Sequence, residues 1–565
     1  MLQIALAGFY ITLLCYAWGH LTIRLLQTAL PATKAALPPF SIVCMAGMST
    51  LVVIAGALSV WMPLGGWGLQ LALLSCALIY GWVNSGVWRD LQATASKAAT
   101  RLPPLLLFLL PAGFVLLLVL GSWTVGHPDT LAYHAPLIRW ITAYKAVPGL
   151  VHLHMRYGLQ NYWFIACALF GFSFTHTAAL TFINTCVVGW YLLFTTGRIG
   201  EAWQAKTPLA LLQSILFLLL LALSLLDFGM LRLTATSASP DFVAGIYCWI
   251  VFYLLLNAQE ESSWMLLFFF SLMAVLVKLS SAPILLLAVY AFILLVKKRR
   301  RKAVAYLFLF TLLALGPFIA RNIIATGHIV FPSPLADILA VDWKLDHRST
   351  VLLQQYISDY ARIGERARIG GPPVAGWKEW MPLWWGNRSW VEKFVLEGLA
   401  ATLLLGCIFF KRVVQQANFQ TRLMLLVAAA GLLFWFLQAP DPRFGYGFIF
   451  PLQAVVLYRL AAGYRLSGNG GRWILSAGLI VCTTGIAAYT AYRFTHFFTA
   501  KNWLQPEGIP PTATKKINHQ GILFYTPCHT CGCGSTPLPC AYDDEPFLLR
   551  GALLEDGFRS VWPVR

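Results

Sequence analysis

Apolar residues recur along most of this chain in runs of about 20, the length that crosses a hydrocarbon core. Read as spans, the runs predict about 14 transmembrane helices, at roughly 2–26, 38–61, 65–84, 102–123, 175–195, 208–230, 240–256, 263–277, 281–296, 303–320, 391–410, 422–438, 444–460 and 473–492. The stretch Leu159–Phe174 is apolar but short for a span, and reads as a re-entrant or interfacial helix. Counting it as a span would invert every segment downstream. In a Leu-rich chain without a barrel pattern, only helices with internally satisfied backbones can cross lipid. The expected fold class is therefore all-α, a polytopic integral membrane protein.

Composition agrees with the pattern. Only 11% of the 565 residues are charged and 59% are hydrophobic, with a mean hydropathy of +0.69. A water-covered surface needs about 25% charged residues, so most of this surface is expected to face lipid. The net charge of +19 is then a question of sidedness rather than of nucleic acid, and no nucleic-acid partner is expected. One set of short loops, including the run Lys297–Lys302, collects 19 basic residues against Asp90, Glu201, Glu260 and Glu261. That is the look of a cytoplasmic face. It puts both termini outside, together with three longer segments at about 121–174, about 326–390 and the tail 493–565. Residues 1–492 form the expected membrane domain. The first segment has no basic leader and reads as a retained helix. No GxxxxGK[ST] pattern occurs, so any energy must come from an activated substrate or a gradient.

Eight of the 12 cysteines fall in predicted spans, where a thiol is a small apolar side chain. The tail holds the other four, Cys528, Cys531, Cys533 and Cys540. A C-x-x-C pair can ligate zinc. The even count and the exterior position favour disulfides, with the connectivity open.

Charged residues at the exterior ends of spans are Asp129, Asp241, Lys278, Arg321, Asp441 and Arg443. Each, taken alone, could snorkel to the interface or cap a helix. Together they are what an exterior transferase needs: acids near an acceptor hydroxyl and fixed cations for an anionic leaving group. The loop around Asp129 adds His127, Tyr133, His134, Arg139, His152, His154 and Arg156, an aromatic and histidine enrichment that suits a sugar cleft or an interfacial belt. No spacing among these histidines is diagnostic of a metal, and no metal or cofactor is assigned.

A first exterior loop that carries Asp129, followed by Tyr133 and His134 and by short juxtamembrane helices, resembles the GT-C superfamily of membrane glycosyltransferases. Closer still is the likeness to a family of bacterial polytopic membrane proteins. It is carried by His-Pro-Asp-Thr-Leu-Ala-Tyr-His-Ala-Pro-Leu-Ile-Arg-Trp at 127–140, Val147–His154, Ser-Pro-Asp at 239–241, Val-Lys-Leu-Ser at 277–280, Arg-Asn at 321–322, Phe-Pro-Ser-Pro at 331–334 and Ala-Pro-Asp-Pro-Arg-Phe at 439–444. It extends into the tail through Pro-Leu-Pro-Cys (537–540) and Leu-Arg-Gly (549–551). The resemblance implies a glycosyltransferase of the bacterial inner membrane, acting on the periplasmic face. The donor would be a sugar on a polyprenyl phosphate, and the acceptor a glycan, lipid or protein of the envelope. Asp129 would be the general base, with Asp241 a second acid. Arg443, Arg321 and Lys278 would hold the donor phosphate, and Tyr133, His134, Arg139, His152 and His154 would line the cleft. The superfamily pattern sets a second acid beside the loop Asp, whereas Pro128 and Thr130 flank it here. A transporter or flippase of lipid-linked glycans would instead need inverted repeats and midplane charges, which are not seen. A polymerase or ligase shares the same site.

Overall fold

The computed structural model describes residues 1–31, 36–101, 104–172, 182–204, 237–257, 260–374, 376–461, 500–510, 512–527, 532–542 and 546–561, with a few isolated residues between. The predicted spans at 208–230 and 473–492, and Cys528 and Cys531, lie outside these residues. The chain is mostly helical. Among the described residues, five helices rather than fourteen are long and apolar enough to cross a membrane: Leu2–Thr28, Phe40–Leu58, Leu279–Lys297, Arg301–Thr326 and Phe419–Gln438. A sixth would need the pair Trp67–Val83 and Gly86–Ala93 to count as one span, and these meet at 87°. Asn84 ends the first of the pair outside helical geometry, and its side chain takes up Gly86 N instead. Other predicted spans are helical but shorter, such as Asp241–Leu256 and Glu261–Val277. The stretch read as re-entrant contains one buried eight-residue helix, Tyr162–Leu169, capped by Asn161 Oδ1 on Phe164 N.

Packing follows the apolar pattern. Asp241–Leu256 and Glu261–Val277 are buried on nearly every face, as helices apolar all round must be. The linker between them is only Asn257–Glu260, so they run antiparallel and their Asp241 and Lys278 ends lie together. Around them, Arg301–Thr326 and Phe419–Gln438 turn Phe308, Leu312, Leu426 and Leu433 outward, more apolar surface than water tolerates. Leu2–Thr28 and Phe40–Leu58 meet glycine to glycine. A Cβ on Gly47 would fall 1.7 Å from Cys15 O, and one on Gly19 would fall 1.8 Å from Val43 O. Small residues let backbones approach this closely. Gly47→Ala is therefore expected to lower stability by about 1–3 kcal/mol, read as a lower Tm of the detergent-purified protein.

The tail departs from the all-α expectation. Strands β1 (Thr514–His519) and β2 (Ile522–Pro527) form an antiparallel hairpin, and β3 (Phe547–Leu549) pairs with β4 (Phe558–Ser560). The first hairpin turns on Gln520 and Gly521, both with positive φ, the two-residue geometry that matches strand twist. Cys533 and Cys540 are joined by a disulfide.

Candidate active site

Three helix termini and one loop converge on a cluster of charges. Asp241 opens Asp241–Leu256, where the helix dipole favours an acid. Lys278 closes Glu261–Val277, where it favours a cation. Arg443 sits in the first turn of Pro442–Ala461, behind an Asp441 whose Oδ1 accepts Arg443 N at 3.2 Å. The Pro440 and Asp441 carbonyls are held by the indoles of Trp384 and Trp435, each at 2.6 Å. Asp129 comes from the loop, in front of the π-helical turn Thr130–His134. Such turns are frequent at functional sites.

Arg443 is the hub. Its Nη1 lies 3.4 Å from Asp129 Oδ2, and its Nε lies 3.4 Å from both Asp241 Oδ2 and Asp441 Oδ2. These are ion-pair distances, longer than the roughly 2.7–2.9 Å of a tight charge-assisted hydrogen bond. Arg443 Nε has no hydrogen-bond partner among the described residues. Lys278 Nζ donates to Asp241 Oδ1 and stands 3.6 Å above the Phe444 ring, which Arg443 also faces at 4.9 Å. On the far side of Asp129, Arg156 Nη1 approaches Oδ1 at 3.6 Å and its Nη2 donates to Tyr356 Oη at 2.7 Å. Three carboxylates (Asp129, Asp241, Asp441) thus face three cations (Arg443, Lys278, Arg156), and Arg388 approaches Asp441 from outside at 4.0 Å. The Arg443, Lys278 and Asp129 side chains remain 21%, 18% and 27% exposed, so a ligand can reach them.

The electrostatics of the loop follow from this. Burial alone would raise the Asp129 carboxyl, but Arg443 above all, with Arg156 adding to it, holds it well below the usual carboxylate range. The carboxylate is thereby suited to accept hydrogen bonds and poorly suited to take a proton. Burial pushes His134 down to about 3, with His127 adding to the effect, and its Nδ1 pairs with Thr130 Oγ1 at 3.0 Å. Burial also lowers His127, so both imidazoles are neutral.

Other predicted site residues go elsewhere. Arg321 is 5% exposed and spends its donors on Gln160 Oε1 and on Ser59, tying Arg301–Thr326 to the loops; it is not in the cluster. His152 Nε2 donates to Trp343 O at 3.0 Å. His154 stacks on Tyr542 at 4.3 Å, and Arg139 donates to the Gly534 and Thr536 carbonyls. Arg139 and His154 therefore bind the tail. Tyr133 packs edge-on against His134 and lies under Arg156, inside the site. The rings of Phe444 and Tyr356 were not foreseen as parts of it. Phe444 was legible as the end of the Asp-Pro-Arg-Phe motif; Tyr356, some 200 residues from Arg156 in the chain, carries no such signal. Among the described residues no group of three or more His, Cys, Asp or Glu side chains is placed to hold a metal ion.

The family described as "Domain of unknown function (DUF8201)" matches residues 1–450. Every residue of the charge cluster falls inside that match, and the disulfide-bonded tail falls outside it. No curated protein and no solved structure matches the chain.

Proposed function

Because the chain belongs to the DUF8201 family, whose description assigns no activity, the reading rests on the site, and we propose a membrane glycosyltransferase of GT-C type. The carrying observation is Arg443, held by the charge of three aspartates at 3.4 Å each while its Nε keeps no hydrogen-bond partner among the described residues. A guanidinium fixed in place with its side chain 21% exposed, beside a lysine, is a site for a phosphate that gains charge as its sugar departs. The donor is a sugar on a polyprenyl phosphate, and the acceptor is an envelope glycan, lipid or protein hydroxyl. Asp129 accepts a hydrogen bond from the acceptor beside the reacting hydroxyl and so orients it. Asp241 sets the position of Lys278 and Arg443. Attack opposite the phosphate inverts the anomeric centre. This reading places the site on the periplasmic face of a bacterial inner membrane.

Deleting the gene in its host and comparing envelope glycans by mass spectrometry tests the proposal. The deletion is expected to remove a sugar, which wild type restores. Asp129→Asn, at equal abundance, is expected to restore it about tenfold more slowly, the cost of about 1.4 kcal/mol of lost orientation. Unchanged glycans in the deletion strain would retire the transferase reading. A ladder of products rather than one added sugar would assign polymerisation.

A further inference from the structure

His127 is 2% exposed and opens the segment that carries Asp129: its carbonyl accepts Thr130 N at 3.0 Å and Leu131 N at 3.1 Å. Its Nδ1 is buried with no hydrogen-bond partner among the described residues. Leaving a buried polar atom unsatisfied costs about 1–3 kcal/mol, and in native folds such atoms mark strain or function. The charges that act on the ring are Asp129, Arg443, Asp241 and Lys278, the members of the cluster, and the His134 ring lies 5.6 Å away.

A transfer to a hydroxyl needs somewhere to put a proton, and most of the cluster is unsuited. Asp129 lies between Arg443 and Arg156, and its charge is held by both. Asp241 lies between Lys278 and Arg443, and Asp441 between Arg443 and Arg388. His134 Nδ1 is already paired with Thr130 Oγ1. Lys278 and Arg443 are donors. His127 is left, neutral, with a lone pair that nothing else uses. Resting on the transferase reading above, we propose that His127 Nδ1 is the proton acceptor of the reaction, and that Asp129 stabilises the imidazolium so formed.

The step balances. The acceptor oxygen bonds to the anomeric carbon as its proton moves to Nδ1. The bond from that carbon to the phosphate oxygen breaks, and its electron pair leaves with the phosphate, whose new charge meets Arg443 and Lys278. The imidazolium then returns its proton to water. This requires the tautomer with hydrogen on Nε2, the one that leaves Nδ1 free.

The test uses the full chain in membranes of the deletion strain, scored by recovery of the missing sugar at matched protein levels. His127→Gly is expected to slow transfer ~10²–10⁴-fold, the range of general base catalysis, and added imidazole is expected to restore a measurable part of it. His127→Gln, which refills the volume but cannot keep a proton, is expected to stay slow with or without imidazole. Near wild-type transfer by either variant would overturn the proposal, as would an inactive His127→Gly that imidazole does not rescue. A deletion that loses no sugar would instead overturn the transferase reading itself, before any His127 variant is scored.

Discussion

Arg443→Ala is expected to abolish transfer and to lower stability by about 3–5 kcal/mol, the cost of removing one partner from a largely buried set of charges. The side chain is 21% exposed and is the common neighbour of Asp129, Asp241 and Asp441. Without it, Asp129 keeps Arg156, Asp241 keeps Lys278, and Asp441 keeps Arg388 at 4.0 Å. Each carboxylate then repels the other two across the space that the guanidinium filled. Arg443→Lys should recover part of the stability but little of the transfer, because one ammonium cannot reach three carboxylates or present a planar fork to phosphate. Combining Arg443→Ala with Asp241→Asn separates the two effects. The double variant should be more stable than Arg443→Ala alone, since it removes one of the uncompensated charges, yet it should remain inactive. Thermal unfolding in detergent and glycan recovery in the deletion strain read the two quantities. Equal stability of the single and double variants would show that the carboxylates are not coupled through Arg443.

Breaking the Cys533–Cys540 disulfide with paired serines is expected to cost the tail about 2–5 kcal/mol and to release it to protease. The bond closes a short loop that grips the segment after Asp129. Gly534 N donates to Leu131 O at 2.8 Å, Tyr542 Oη donates to Ala132 O at 3.3 Å, and Arg139 donates back to the Gly534 and Thr536 carbonyls. Gly532 sits so close that a Cβ there would fall 2.3 Å from Ala132 Cα. The tail thereby helps fix the π-helical turn that aims Asp129, and transfer should fall with it. Limited proteolysis with and without reductant, followed by mass analysis of the released fragment, reads the first effect. A tail equally resistant in both conditions would assign its stability to the two hairpins and to Phe558 N on Pro148 O instead.

Hydropathy alone carried the helical class, and charge pattern with motif spacing picked out Asp129, Asp241, Lys278 and Arg443. Those four residues meet because each marks the same end of its element, and an end is visible in sequence as the point where an apolar run stops. Three things were not visible. Arg321 stops a run just as Arg443 does, yet it faces Ser59 and Gln160; which way a side chain turns from a helix end depends on neighbours distant in the chain. Arg139 and His154 have the composition of a cleft but hold the tail, because the tail's return across the Asp129 loop is a long-range contact without a periodic signal. The strands β1–β4 are short and flanked by prolines and glycines, too brief for alternation to stand out. The sequence could therefore say which residues are costly to bury at the ends of the helices. Only the folded arrangement says which of them share charge through one arginine, because that depends on distances of a few ångströms between segments more than 100 residues apart.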